Sequence, residues 1–99
     1  MGNTHRPIYV IAKDIIGDWQ NVNYGARPYL EAMLYLTRID EEYFYEDAES
    51  IVIYFLANAH SWRGDKAREI KKELQQMVKD KHNNKLRDII YNVTNPYMQ

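Results

Sequence analysis

The chain has 99 residues, 45% of them hydrophobic and 27% charged, with a formal net charge of −1. This length supports one core and excludes a two-domain organisation, and the composition excludes an intrinsically disordered chain. The absence of cysteine excludes disulfide bridges, thiolate metal sites and cysteine nucleophiles, and it suits a reducing compartment. The sequence therefore predicts a single cytoplasmic domain over residues 1–99, with a core of roughly 7–93 and frayed termini.

The sequence has no segment typical of membrane insertion or of export. No apolar run approaches the ~18 residues that cross a bilayer, and residues 1–6 do not lead into a long apolar segment with a small-residue cleavage site. We expect neither secretion nor a membrane partner.

The first two predicted helices are separated by a loop. Pro7 fits the first position of a helix over roughly 7–19, whose apolar residues recur at spacings of three and four: Ile8, Ile11, Ala12, Ile15 and Trp19. Because residues 8–11 are also rich in strand formers, a short strand there stays open. Residues 20–27 contain turn formers without periodicity, and Pro28 begins a second helix over roughly 28–38.

Helix three is the most apolar of the predicted elements. Asp47 can cap this helix, which covers roughly 47–60. Its apolar residues lie on most sides, a pattern typical of the central helix of a bundle.

Helix four has the clearest amphipathic pattern of the chain. Ser61 and Asp65 favour a start near residue 62, and the helix continues to about residue 81. His82 and the two asparagines after it end the helix, and a short fifth helix follows, with Leu86, Ile89, Ile90 and Val93 as its apolar residues. The predicted fold class is all-α, a compact bundle of four to five helices.

Charge is unevenly distributed along the chain. Residues 1–62 contain nine acids and four bases, whereas residues 63–99 contain nine bases and five acids. Between residues 40 and 49, acids surround three aromatic residues with no base among them, so a basic partner would be steered there. The predicted protein-binding residues are Glu41, Glu42, Tyr43, Tyr45, Glu46 and Asp47. The alternative is that the acids favour the dipole of helix three and that Phe44 plugs the core.

A second candidate site lies at the start of helix four. Free backbone N–H groups there, together with Trp62, Arg63 and Lys66, could receive a phosphate and stack a base. Because acids interleave with the bases of helix four, the sequence has no unbroken basic stripe, and nucleic acid is the less favoured partner. The alternative for Trp62 is a structural role, in which it pins the corner against helix one.

The sequence contains no recognisable motif of catalytic or metal-binding residues. His5, His60 and His82 are far apart, and Asp14 with Asp18 alone makes a weak ligand pair. The chain has no G-x-S-x-G elbow, no P-loop and no G-x-G-x-x-G motif. We expect no enzymatic activity, no metal site and no cofactor.

Four stretches of sequence support a resemblance: PYLEAM (28–33), SIVIYFLANA (50–59), SWRGD (61–65) and IKKEL (70–74). Through them the chain resembles small uncharacterised helical proteins encoded by bacteriophages and prophages, over roughly residues 8–79. The resemblance implies a phage context. Small phage proteins that bind and block a host machine include anti-CRISPR and other anti-defence proteins, many of which present acidic surfaces to nucleic-acid-binding sites.

Three functional hypotheses result. The leading one is a non-enzymatic interaction protein, an anti-CRISPR-like inhibitor of a host defence machine, that binds a host or phage protein with a basic surface through residues 43–47. The second is a nucleotide or nucleic-acid binding module that uses the start of helix four. The third is a structural homo-oligomer, such as a homodimer, in which the apolar faces of helices two and five pair between chains.

Overall fold

Four helices and one short β-hairpin form the described part of the chain, for which a computed structural model gives the backbone of residues 5–94 and the side chains of residues 5–83. In chain order the elements are α1 (Ile8–Asp18), α2 (Arg27–Met33), β1 (Glu42–Tyr43), β2 (Glu46–Asp47), α3 (Ala48–Ala57) and α4 (Asp65–Thr94). The protein is mostly helical, as predicted. The hairpin between α2 and α3 corrects the prediction of a pure all-α bundle, and the predicted frayed termini lie largely outside the described residues.

Helix α1 begins without a side-chain cap. Pro7 precedes it, and the N–H groups of Ile8 and Tyr9 donate to the carbonyl oxygens of Thr37, at 3.0 Å, and Leu36, at 2.8 Å. The first N–H groups of any helix need acceptors from outside it, so these two bonds attach the connection after α2 to the start of α1. Residues 8–11 are helical, which rules out the alternative of a strand there.

The core is a layer of side chains shared by all four helices. Helices α1 and α3 each pack against both α2 and α4. The fully buried aliphatic and aromatic side chains of this core, with less than 2% exposure, are Ile8, Ile11, Ile15, Met33, Leu36, Ile51, Val52, Phe55, Ile70, Leu74 and Met77. The apolar positions predicted on helices one, three and four therefore supply most of the buried surface.

An aromatic corner joins the end of α1 to α3 and to the start of α4. The indole rings of Trp19 and Trp62 stack with their centroids 5.7 Å apart, and Phe55 meets both with its edge, at 6.2 and 6.4 Å. The indole N–H of Trp62 donates to a carboxylate oxygen of Asp18 at 2.8 Å, so its one polar group is satisfied. Gly64, with φ of 113°, then turns the chain into α4.

Helix α2 is shorter than the predicted 28–38. It ends at Met33, and Leu34, Tyr35 and Leu36 continue with N–H bonds to the carbonyl groups three residues earlier instead of four. This tighter winding brings the carbonyl groups of Leu36 and Thr37 to the start of α1. Apolar periodicity continued through the turn, so it could not reveal where the helix ends.

Helix α4 is longer than predicted and continues through His82 and the two asparagines after it. The prediction of a stop there, followed by a separate fifth helix, is wrong. Histidine and asparagine are only moderate helix formers, but residues 65–94 contain neither glycine nor proline, and nothing in that stretch breaks the backbone hydrogen bonding. None of the helices described here is both long and apolar enough to cross a bilayer.

Arg6 ties the start of the described chain to two helices. Its guanidinium donates two bonds of 2.8 Å to the carboxylate of Glu73 on α4 and a third, of 3.0 Å, to Asp14 on α1. The bond from Arg6, together with Lys66, holds the pKa of Asp14 below its usual value. The same contacts, those to Glu73 first, raise the pKa of Arg6. This network therefore favours the charged forms of Arg6 and Asp14.

Glu49 makes a corresponding tie between α3 and α4. Its carboxylate accepts a hydrogen bond of 2.9 Å from Lys81 and another from His82. Burial acts to raise the pKa of Glu49, but the bonds and charges of Lys81 and His82 outweigh it and lower the pKa below the usual 4.5. The folded protein thus stabilises the ionised carboxylate.

The ion pairs of Glu49 predict a contribution to stability that is lost in acid. Because the pKa of Glu49 is lower in the folded than in the unfolded chain, its contribution is fully present above pH 4.5 and is lost as the pH falls through the lowered pKa. We expect Glu49→Gln to lower the free energy of unfolding by about 1 kcal/mol at neutral pH, and by progressively less on acidification. Urea unfolding at a series of pH values measures both quantities.

The exposed Glu69 on α4 offers a matched control, because it makes no ion pair with a described residue. Glu69→Gln should leave both the stability and its pH dependence unchanged. A Glu49→Gln deficit that stayed constant down to acid pH would contradict the proposed ion pairs.

Candidate functional site

The hairpin between α2 and α3 is closed by a two-residue loop. Strands β1 and β2 pair antiparallel, with Glu42 opposite Asp47 and Tyr43 opposite Glu46, which leaves Phe44 and the residue after it as the loop. Phe44 has φ of 58°, in the left-handed region of backbone conformation that residues other than glycine and asparagine rarely adopt. A positive φ at the first loop residue is the pattern of a type II′ hairpin, in which glycine is the usual residue.

Both loop residues, the predicted site residue Tyr45 and its neighbour Phe44, are highly exposed. Phe44 is 79% exposed, and Tyr45 is fully exposed. The alternative that Phe44 plugs the core is therefore wrong. A bulky aromatic residue in a backbone conformation that costs about 1 to 2 kcal/mol, with its ring in solvent, does not serve the packing of the core.

Two of the predicted acidic residues hold the hairpin on the helices. The carboxylate of Glu41 accepts the N–H of Thr37 at 2.7 Å, and its carbonyl accepts the N–H of Ala48, also at 2.7 Å. Asp47 caps α3 by accepting the N–H of Ser50 at 3.0 Å. The hydrogen bonds of Ser50 hold the pKa of Asp47 below its usual value. The contacts of Asp47 therefore agree with the alternative role, in which acids stabilise the start of helix three.

The other two acidic residues, Glu42 and Glu46, face solvent. Neither makes a hydrogen bond or an ion pair with any side chain that the structure describes. The nearest base in the sequence, Arg38, pairs with Asp40 at 2.8 Å. Two carboxylates beside the loop are thus left without a counter-ion from the described part of the chain.

The aromatic residues of the hairpin continue onto the turn after α2. The rings of Tyr35 and Tyr43 stack, with centroids 5.9 Å apart and 21° between planes, and Phe44 meets Tyr43 edge-on at 4.7 Å. Tyr43 is half-buried, whereas Tyr35 is 74% exposed. We call the combined surface the acidic aromatic surface; its members are Tyr35, Glu42, Tyr43, Phe44, Tyr45 and Glu46.

Tyr35 was not among the predicted site residues. In the predicted second helix it lies off the apolar stripe, which could have indicated that it is exposed. Its contact with Tyr43 depends on the early end of α2 and on the hairpin, and no local pattern in the sequence indicated either.

The residues predicted for a phosphate site do not form an open site. Trp62 is only 2% exposed; one side of its ring stacks on Trp19, and the ammonium of Lys71 lies 5.8 Å from the ring centre. Lys66 pairs with Asp14 at 3.4 Å. Only Arg63, of the three predicted residues, is exposed without an ion pair to a described side chain. Trp62 packs the corner against α1 and has no open face on which to stack a base.

Lys71, whose ammonium lies over the Trp62 ring, is held by the same corner. Its ammonium donates to the carbonyl of Trp62 at 2.7 Å. Burial, and then the charge of Arg63, lower the pKa of Lys71. The amine is thus bound to the corner of the fold.

The apolar faces proposed for pairing between chains lie on α2 and at the end of α4. On and after α2, Leu30, Met33 and Leu36 are buried in the core of their own chain. The apolar residues of the predicted fifth helix belong to the end of α4, where their side chains lie outside the described residues.

Comparison of the chain with protein-family models, curated proteins and solved structures gives no match. Among the side chains that the structure describes, no three histidine, aspartate or glutamate residues lie together in a group that could hold a metal ion. The function has therefore to be argued from the chemistry of the acidic aromatic surface.

The strained loop predicts an unusual order of stability for variants at Phe44. Glycine relieves the strain of the positive φ and alanine does not, so Phe44→Gly should be more stable than Phe44→Ala by about 1 kcal/mol. At ordinary positions the glycine variant is the less stable of the two. Chemical denaturation of both variants tests this order. A Phe44→Ala protein as stable as Phe44→Gly would mean that the loop does not hold this conformation in solution.

Proposed function

We propose that the protein is a non-enzymatic interaction protein that binds a basic surface of a partner protein through its acidic aromatic surface. The observation that supports this most is the loop itself, where Phe44 occupies a strained backbone position and is exposed together with Tyr45. Strain that does not serve packing is found preferentially at functional sites.

The proposed surface has the chemistry of a protein-binding site. Aromatic residues contribute large contact areas at low cost in side-chain entropy, and they are enriched among the residues that dominate binding energies. Here the rings of Tyr35, Tyr43 and Phe44 contact one another, so their positions are partly fixed before any partner arrives. Preorganisation of this kind lowers the entropic cost of association.

The carboxylates contribute mainly to the choice of partner. Glu42 and Glu46 place negative charge on both sides of the loop, and no base of the described chain neutralises them. Such charges accelerate encounter with a basic surface and disfavour acidic ones. Association should therefore weaken as the salt concentration rises.

The proposed partner is a host or phage protein in the bacterial cytoplasm. The resemblance to small phage proteins favours this class of partner, and an inhibitor of a host defence machine fits it well, because such machines have basic nucleic-acid-binding surfaces. An anti-CRISPR-like role is the most specific form of the proposal. The acidic aromatic surface would then occupy a site that otherwise binds nucleic acid.

Charge reversal at the two solvent-facing carboxylates tests the proposal. We expect the double variant Glu42→Lys, Glu46→Lys to lose a protein that the unaltered chain captures from bacterial lysate at low salt, because the reversed charges repel a basic surface. Glu41 and Asp47 stay intact, because they hold the hairpin on the helices. Mass spectrometry of the eluates, with nucleic acid assayed in parallel, identifies what is captured.

The control is Glu69→Lys, which reverses one exposed charge on α4. It should retain the captured protein at low salt. Capture that survives the reversal in the hairpin, or that involves only nucleic acid or only copies of this chain, would overturn the proposal.

A further inference from the structure

Resting on the proposed function, we infer that the partner group received by the acidic aromatic surface is an arginine side chain. Its guanidinium would stack on the exposed Tyr35 ring, next to Tyr43, and pair with the carboxylate of Glu46. The inference concerns one kind of contact within the larger interface.

The register of the hairpin puts a ring and a carboxylate side by side. Tyr43 lies directly opposite Glu46 in the antiparallel pair. Side chains at directly opposed positions project from the same face of a sheet, with β-carbons about 4.5 to 5.5 Å apart. Glu46 therefore stands beside the Tyr43 ring, whereas Glu42 belongs to the other face.

The ring next to this pair is open to a ligand. Tyr35 stacks on Tyr43 with 21° between planes and remains 74% exposed. A planar cation that lies over the exposed Tyr35 ring meets its negative face, with the carboxylate of Glu46 beside the adjoining Tyr43 ring. The two attractions act on the same group.

Arginine fits this arrangement better than lysine. The guanidinium is flat and weakly hydrated, so it can stack on a ring and at the same time donate two hydrogen bonds to one carboxylate. The ammonium of lysine is compact and strongly hydrated, and it gains less from a ring face in water. The surface should therefore distinguish two cations of equal charge.

No base whose side chain the structure describes supplies this contact. Arg38 pairs with Asp40 at 2.8 Å. Among the side chains that the structure describes, ammonium groups lie over rings at two other places, Lys13 over Tyr9 and Lys71 over Trp62. Among the described side chains the surface therefore has no cation of its own, and a partner would supply one.

Two fluorescein-labelled peptides of equal length and charge test the inference, one in which glycine alternates with arginine and one in which it alternates with lysine. Titrated with the full chain at low salt and followed by fluorescence anisotropy, the arginine peptide should bind about two- to fivefold more tightly. Tyr35→Leu should remove this preference, and Tyr35→Phe, which keeps the ring, should retain it. Glu46→Gln should weaken the arginine peptide more than the lysine peptide.

Matched controls separate the surface from the rest of the molecule. Tyr24→Leu removes another exposed tyrosine, 92% exposed, in the loop between α1 and α2, and Glu69→Gln removes an exposed acid on α4. Both should bind the two peptides as the unaltered chain does. Thermal unfolding of Tyr35→Leu checks that this variant stays folded.

Equal affinity for the two peptides, no binding of either, or a preference that survives Tyr35→Leu would overturn the arginine inference. The proposed function is judged separately, by capture with the Glu42→Lys, Glu46→Lys variant. Loss of the captured protein in that variant without an arginine preference would leave the proposed function standing and refute the arginine contact. A preference that depends on Tyr35, with capture unaffected by charge reversal, would support the contact and refute the proposed function.

Discussion

The start of α1 imposes the constraint on which the candidate site depends. This helix begins after a proline and has no side-chain cap. The N–H groups of Ile8 and Tyr9 donate instead to the carbonyl groups of Thr37 and Leu36, respectively. To present those carbonyl groups, the chain has to leave helical geometry after Met33. The same turn exposes Tyr35, and the N–H of Thr37 donates to the carboxylate of Glu41 at the base of the hairpin. One pair of backbone bonds thus determines where α2 ends and where the hairpin begins.

The acids of the candidate site divide between support of the fold and the proposed recognition of a partner. Glu41 and Asp47 use their carboxylates on backbone N–H groups of the fold, and this fixes the base of the hairpin. Glu42 and Glu46 have no such task among the described residues, and Glu46 stands on the same face of the hairpin as Tyr43. Preorganised rings and unneutralised charge are the features that favour rapid and selective association. The strain at Phe44 is a cost in stability that the core does not recover.

Much of the helical structure could be predicted from periodicity and helix-start signals. Spacings of three and four residues located α1, and the capping residue Asp47 located the start of α3. The hairpin could not be predicted, because its strands have two residues each, too few for an alternating pattern, and its loop has neither asparagine nor glycine. The acidic composition still directed attention to this segment. Tyr35 was missed because its role requires tertiary contacts.

The ends of α2 and α4 show a related limit. Signals for stopping a helix are statistical, and in α4 the pair of asparagines after His82 does not outweigh a long uninterrupted run of helix formers. In α2 the opposite happened, because bonds to α1 ended a helix whose apolar pattern continued. Local sequence sets the preference of each segment for helix or turn. Where the two conformations are close in energy, hydrogen bonds to other elements decide between them.

The affinity of a captured partner for the Phe44→Gly variant tests the central claim most directly. Glycine keeps the loop conformation and removes only the exposed ring, so binding and folding are separated at one position. If the acidic aromatic surface binds the partner, the variant should stay folded and lose at least about tenfold in affinity. Unchanged affinity in a variant that stays folded would contradict the account.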